Sequence, residues 1–408
     1  MPPVKPHKYL PLLLALSIFM QMLDATILNT ALPKMAEDLQ ASPLNMQSAV
    51  ISYALTLALL MPLSGYLCDR YGTRKVFAVS MGLFVSGSIM AAAAPNLVTL
   101  VVARVVKGMG GSMLMPVPRL VLMRAYDKSQ LLYVMNFVVM PALLGPVLGP
   151  LVGGYLVEYA SWHWIFLINV PIGIIGIWFT LKIMPDFHAP ETAVARFDVS
   201  CFFLFASRAV SLSLAIETLT HPGPHWFSIS LGLFGMAAFW LYLQHAKQDK
   251  QALYPLNLMQ VRTFRLGIAG NLASRLGMAA VPFLLPLFLQ LAFSRSPSES
   301  GWILAPIALA ALMTKPLIKS LISRASYRNV LIWNTRLIGI IIIMLSLPTA
   351  TTPLWLLIPL LFLLGMCNSL QYSAMNTLTI ADLRPGQASS GNSLMTVNQQ
   401  LSISLGIA

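Results

Sequence analysis

Residues 62–76 read PLSGYLCDRYGTRKV, and residues 316–330 read PLIKSLISRASYRNV. At the fixed offset of 254, Pro62, Leu63, Leu67, Arg70, Arg74 and Val76 recur as Pro316, Leu317, Leu321, Arg324, Arg328 and Val330. Each copy follows an apolar run and is itself basic. A bilayer-crossing helix needs about 20 mostly apolar residues. The two segments therefore read as loops at one membrane face, one in each half of a duplicated chain. Related halves with a site between them near mid-membrane are the usual plan of secondary transporters.

Composition points the same way. Of 408 residues, 57% are hydrophobic and 10% charged, and the mean hydropathy is +0.75. A soluble domain is about 25% charged, so secreted, disordered, fibrous and nucleic-acid-binding classes are excluded. The formal charge of +13 is what a multi-span protein collects in its cytoplasmic loops, and no nucleic-acid partner is expected. Cys68, Cys201 and Cys367 are scattered, with neither a disulfide framework nor metal-ligand spacing. They read as small buried residues; no metal and no cofactor is expected.

Working outward from the repeat gives thirteen candidate spans: about 9–32, 47–67, 76–94, 97–118, 131–157, 162–182, 198–218, 226–244, 264–292, 299–318, 329–348, 353–380 and 388–408. The first begins like a secretory leader after Lys5 and Lys8. Its apolar run continues through Asp24 to Leu32 without a cleavage site, so it reads as a retained helix. Loops are short except at about 183–197 and 245–263, which puts the working site inside the membrane. With the N-terminus cytoplasmic, 19 Lys and Arg fall inside, among them Arg196, Lys250 and Arg384, against Lys34 and Arg295 outside. That asymmetry sets the orientation. The chain stops at Ala408 within an apolar segment, and a fourteenth helix is expected beyond it. The expected fold is an all-α polytopic membrane protein. Residues 1–184 form a six-helix bundle, 185–250 a loop and two extra helices, and 251–408 about five of the six helices of a second bundle.

Several stretches resemble the major facilitator superfamily and, within it, the fourteen-helix drug:proton antiporters. They are LDATILNTALP at 23–33, GYLCDRYGTRK at 65–75, RVVKGMGGSMLMP at 104–116, GPVLGPLVGG at 145–154, WHWIFLINVPIG at 162–173 and ASSGNSLMTVNQQLSISLGIA at 388–408. The resemblance implies a proton-coupled multidrug exporter of the bacterial inner membrane that works by alternating access. It also implies that Gly65, Asp69, Arg70, Gly72 and Arg74 form a cytoplasmic latch for the outward-open state. The repeat copy has Lys319, Ser323 and Ser326 in place of Gly65, Asp69 and Gly72, so any latch rests on the first copy. Lys107 stands where the family's motif has Gln.

The residues themselves add chemistry. Asp24 is the only carboxylate deep within a predicted span, and an intramembrane acid is by default a functional site. Asp24 and Arg104 each lie eight residues from the outer end of their helices, about 12 Å deep at 1.5 Å per residue. An ion pair between them is expected, with Asp24 as the proton site. A permanent clamp between two helices is the plainer alternative. Gly145, Pro146, Gly149, Pro150, Gly153 and Gly154 give the fifth span small, kinkable faces suited to close packing.

Five basic residues lie within spans: Arg104, Lys107, Arg208, Arg275 and Arg336. So cationic an interior suits an organic anion, such as citrate or its iron complex, better than a lipophilic cation. Gln21, Asn29, Lys107, Asn271, Arg275, Arg336, Asn376, Asn398 and Gln399 are the candidates for lining a substrate cavity, with Arg275 foremost. No H-E-x-x-H, G-x-S-x-G or paired carboxylates point to an enzyme. A transporter-like sensor would carry the same signs. The expected partners are a small-molecule substrate, protons and the bilayer, and the expected state is a monomer.

Overall fold

The computed structural model describes residues 7–188, 198–219, 225–248, 256–349, 352–384 and 387–407. Lys5, Arg196, Lys250 and Ala408, invoked above, lie outside them. Among the described residues every regular element is helical. In order they are α1 (Leu10–Asp38), α2 (Gln47–Leu60), α3 (Leu63–Tyr71), α4 (Thr73–Ala92), α5 (Leu97–Gly111), α6 (Pro116–Ala125), α7 (Lys128–Tyr159), α8 (Trp164–Leu167) and α9 (Asn169–Ile183). Then follow α10 (Val199–Leu219), α11 (His225–Gln248), α12 (Arg262–Ala279), α13 (Val281–Leu287), α14 (Pro297–Leu345), α15 (Leu357–Ile380) and α16 (Ala388–Ile407). Ten helical stretches are long and apolar enough to cross a membrane, eleven counting the bent pair α2–α3. The 32-residue α7 and 20-residue α16 occupy the expected fifth and last spans.

Where the helices break, a local cause is visible. Pro62 lacks the N–H that would continue α2, and α2 and α3 meet at 57°. Pro116 starts α6 after a short break from α5. Pro282 and Pro286 lie in α13, which ends in a π-helical turn at Phe288–Ala292.

The expected tenth and eleventh spans are the two arms of α14, each long and apolar enough to cross a membrane. The loop expected between them is shorter than its charges suggest: the arms meet at a kink at Ser326, whose φ 64°, ψ 153° is not helical. The stretch 317–329 holds neither Gly nor Pro, so the first arm runs on up to that residue. At the matching position of the first copy, Gly72 joins α3 to α4 at φ 86°, ψ 148°. The sequence repeat is thus also a repeat of backbone geometry. At Gly72 the left-handed φ favours glycine, and a Cβ there would also strike Asp186 and His188.

Helix α7 is the spine of the packing. Gly145, Gly149 and Gly153 notch it against Met22, Thr26, Ile27 and Thr30 of α1, so the two helices run in near backbone contact. Gly154 turns to the other half, where a Cβ would meet the Pro297 carbonyl at the start of α14. Gly301 of α14 answers it against the Pro150 carbonyl. At this end of the molecule, where α1 finishes, three hydrogen bonds tie the halves. The Ser298 backbone N–H donates to Glu158 Oε2 (3.0 Å), Trp302 Nε1 to the Tyr155 hydroxyl (3.0 Å), and Gln290 Nε2 to the Thr30 carbonyl (2.9 Å). We call it the far face. The outer surface is apolar, with Trp226, Met236 and Trp240 of α11 exposed, as suits a multi-pass protein in lipid.

Candidate functional site

The floor of the site is a buried ion cluster between α1 and α5. Arg104 and Lys107 are three residues apart on α5 and so share a face. That face meets α1 at Asp24. Arg104 Nη1 donates to Asp24 Oδ2 at 2.9 Å, and Lys107 Nζ contacts Asp24 Oδ1. Asn169, at the start of α9, reaches the same Oδ1 from 3.5 Å. Asp24, Arg104, Lys107 and Asn169 are at most 1% exposed.

The cations are held on their remaining sides. Arg104 Nε donates to the Ala49 carbonyl at 3.1 Å, and its guanidinium lies 4.0 Å over the Tyr53 ring. Lys107 Nζ lies 4.6 Å from the Phe84 ring centre and 5.1 Å from that of Phe166. Gly87 of α4 lets the Lys107 backbone approach, since a Cβ there would overlap it. Two cations therefore share one carboxylate, and the cluster carries a formal charge of +1. The Tyr53 hydroxyl and Gln21 Oε1, both buried in this region, have no partner among the described residues.

Beside the cluster lies a cavity of about 430 Å³ between the two halves. Asn29, Thr26 and Thr30 of α1 and Pro146 and Pro150 of α7 form one wall; α13, α14 and α15 form the other. Among the described residues Lys315 is the one charged residue lining it, with Asn368, Ser369 and Tyr372 its main polar neighbours on that side. Arg275 lies 4.2 Å over the Tyr372 ring, and its Nε has no partner among the described residues. The cavity wall is thus cationic on one side and, among the described residues, holds no carboxylate.

Of the expected cavity residues, Asn29 lines this space directly and Arg275 stands behind Tyr372. The others go elsewhere. Lys107 belongs to the ion cluster. Asn271 is buried, donating to Thr379 Oγ1 at 3.2 Å. Gln399 donates to Asn376 Oδ1 at 2.9 Å, so that pair ties α16 to α15. Asn398 donates to the Ile268 carbonyl and lines a separate apolar cavity with Arg208, whose guanidinium covers Phe239 at 3.8 Å. Arg336 is exposed on the outer surface beside Trp333, away from the cavity. Asn271 Oδ1 has no partner among the described residues.

The expected latch residues find partners within their own half. Asp69 pairs with Arg124 of α6 at 2.6 Å. Arg74 donates through its backbone to Asp186 and through Nε to the Met184 carbonyl. Arg70 donates to the Tyr66 hydroxyl. Gly72 supplies the joint, whereas a Cβ on Gly65 would meet nothing within 4 Å. On the cytoplasmic side expected for this loop, a cleft separates Gly65 and Arg119 from Asn392 and Thr396 of α16.

Reading the sequence missed Asn169, Tyr53, Phe84, Phe166 and Lys315 as site residues. Lys315 stands near the inner end of the predicted span 299–318, where a lysine reads as a surface charge. The i, i+3 spacing of Arg104 and Lys107 could have put both cations on Asp24. Nothing local marks the three rings.

Two packed halves, a cavity between them and a sealed ion cluster beside it define a multi-pass membrane transporter rather than an enzyme. The family model described as Major Facilitator Superfamily matches residues 14–407, and the chain belongs to that superfamily. It is 42% identical over 400 residues to the "Putative multidrug resistance protein MdtD" of Pectobacterium carotovorum subsp. carotovorum, covering 97% of this chain and 84% of that protein. It is 44% identical over 399 residues to the protein of the same name in Klebsiella pneumoniae strain 342, covering 97% and 83%. Among solved structures, a peptide transporter POT in complex with sulfate superposes with a TM-score of 0.74 at 14% identity, over 98% of this chain and 88% of that one. A D-xylose-proton symporter gives 0.67 at 13% identity, over 97% and 87%. At these identities the structural likeness speaks for the fold alone.

Proposed function

We propose that this chain is a proton-coupled exporter of the bacterial inner membrane, acting by alternating access as a monomer. The observation that carries the reading is the sealed Asp24–Arg104–Lys107 cluster, held by α5 against α1, the helix that lines one wall of the inter-half cavity. An unsolvated ion cluster in a membrane costs stability, and its use is to change charge when one side opens. The loop-charge asymmetry supports a cytoplasmic N-terminus, which makes the far face the outer one. The bonds joining α7 to α14 there then support a state closed to the outside. In this reading residues 1–184 and 251–408 are the rocking bundles and 185–250 the linking helices. The latch pair Asp69–Arg124 then stays within the N-terminal bundle while the other bundle moves, and Arg74 ties that bundle to Asp186 at the start of the linking segment.

The MdtD relatives favour lipophilic drugs as substrates. One feature favours a second reading, an organic anion such as a tricarboxylate or its iron complex. Lys315 lines the cavity, Arg275 backs it, and no carboxylate among the described residues is there to greet a cation. The test uses acid-loaded everted vesicles carrying the protein, with a pH dye. Ethidium is added to one sample, citrate with and without iron to another. Ethidium-driven proton release that Asp24→Asn abolishes supports the drug exporter. Release driven by citrate alone supports the anion exporter. Substrate binding without saturable counterflow would sink both and leave a sensor.

A further inference from the structure

We infer that the proton exchanged at this site is carried by Lys107, with Asp24 remaining a fixed carboxylate. The inference rests on the reading of the cluster as the proton site and changes which atom does the work. Its basis is a count of charges around one oxygen pair. As built, the cluster holds Asp24⁻, Arg104⁺ and Lys107⁺, a formal sum of +1 with every side chain at most 2% exposed. Adding a proton to Asp24 would leave two bare cations face to face at +2. Removing one from Lys107 would leave a neutral Asp24–Arg104 pair. Burying net charge away from water is the dominant cost in such a place, so the second step is the easier one.

The surroundings agree. From α1, Lys107 faces Asp24; from its own helix, Arg104. Asn169 of α9 donates to the same Asp24 oxygen, and Tyr53 of α2 lies behind Arg104 with its hydroxyl unpartnered. The rings of Phe84 and Phe166 close the remaining sides of the ammonium. No second carboxylate reaches Nζ among the described residues. Aromatic faces attract a cation but supply no proton acceptor, so loss of a proton strands no buried partner. The neutral amine keeps two N–H donors and can still hold Asp24 Oδ1. Arg104 cannot take this role because a guanidinium stays protonated.

The step balances simply. With the cluster open to the cytoplasm, one Nζ–H bond breaks, the electron pair stays on nitrogen and the proton leaves to water. With it open to the outside, the amine lone pair takes a proton back. Aspartate and arginine keep their charges throughout and hold α1 to α5.

The test uses the whole chain in lipid nanodiscs and needs no substrate. Infrared difference spectra between acid and alkaline pH report protonated carboxyl groups. ¹⁵N-lysine resonances report ammonium against amine. The expected result is no carboxyl C=O band that Asp24→Asn removes, together with one lysine resonance that titrates and is missing in Lys107→Arg. An Asp24-dependent carboxyl band on acidification would overturn the inference, as would a Lys107 resonance fixed as ammonium throughout. Lys107→Arg keeps the charge count, so the comparison survives if Lys107→Met folds poorly. In vesicles, both variants should lower proton-driven exchange by about 10-fold, within the usual range of coupling between sites. If the wild type exchanges protons for no probe while the spectra hold, the exporter reading fails and the assignment to Lys107 stands.

Discussion

Replacing Asp24 by asparagine removes the only anion between two buried cations. Breaking a buried pair by deleting one partner costs about 3–5 kcal/mol, so Asp24→Asn should lower the thermal midpoint sharply. Lys107→Met leaves a neutral Asp24–Arg104 pair and should cost far less. The double variant should recover most of the loss of Asp24→Asn. Unfolding of the three in detergent checks this, and an additive double variant would contradict the shared-carboxylate geometry. Ser326 offers a second measurement. Its left-handed φ costs a β-carbon-bearing residue about 1 kcal/mol or more, so Ser326→Gly should stabilise the chain, while Gly72→Ser should destabilise it more than that. Much of this scale was legible beforehand. Equal depth of Asp24 and Arg104 in their spans foretold their meeting. The attachment of Lys107 was hidden in plain spacing. The enclosing rings were not legible, since a phenylalanine in a membrane helix reads the same whether it faces lipid, core or cation.

At the scale of helices, the glycines of α7 do two separate jobs. Three seat α1, and Gly154 seats α14 through Gly301. Gly154→Leu should therefore prop the far face open while leaving the α1–α7 seam intact. Asn29→Cys, placed in the cavity wall, should then react with an impermeant thiol reagent from the far side faster than in the parent. The same face should respond to acid. Hydrogen bonds from Ser296 and Ser298 hold Glu158 below its ordinary 4.5. A depressed carboxylate contributes closure above that value and loses it as pH falls through its own lower one. Far-side acidification below about pH 4.5 should thus loosen the α7–α14 contact, and Glu158→Gln should remove the pH response; labelling of the same cysteine reads both. The spans were legible from apolar run length. The tightness of the turn inside α14 was not, because its charges read as a ten-residue loop, whereas the two arms meet at Ser326 alone.

For the molecule as a whole, the distribution of charge decides what the cavity greets. Lys315 is its one lining charge among the described residues, and Arg275 adds field from behind Tyr372. Lys315→Glu should weaken uptake of an anionic probe into everted vesicles by about 10-fold and improve that of ethidium, as expected for a charge reversal in a low-dielectric cleft. Equal effects on both probes would mean that the residue acts through packing. Sequence alone revealed that the interior is basic, but not which basic groups turn inward. Arg336 and Arg208 are as intramembrane as Arg275 by position, and only packing sends one to the outer surface, one to a side pocket and one to the central wall.

The joint at Gly72 and Ser326 carries a further meaning. Two segments that share six residues in fifteen still turn through nearly the same pair of backbone angles. The shape of the joint does not depend on glycine: with serine in its place the second copy turns the same way. Where the helix changes course is common to both copies, while the side chain at the turn is not. The kinship of the two halves is therefore best read in dihedral angles at equivalent positions, where segments that differ in sequence still trace the same path.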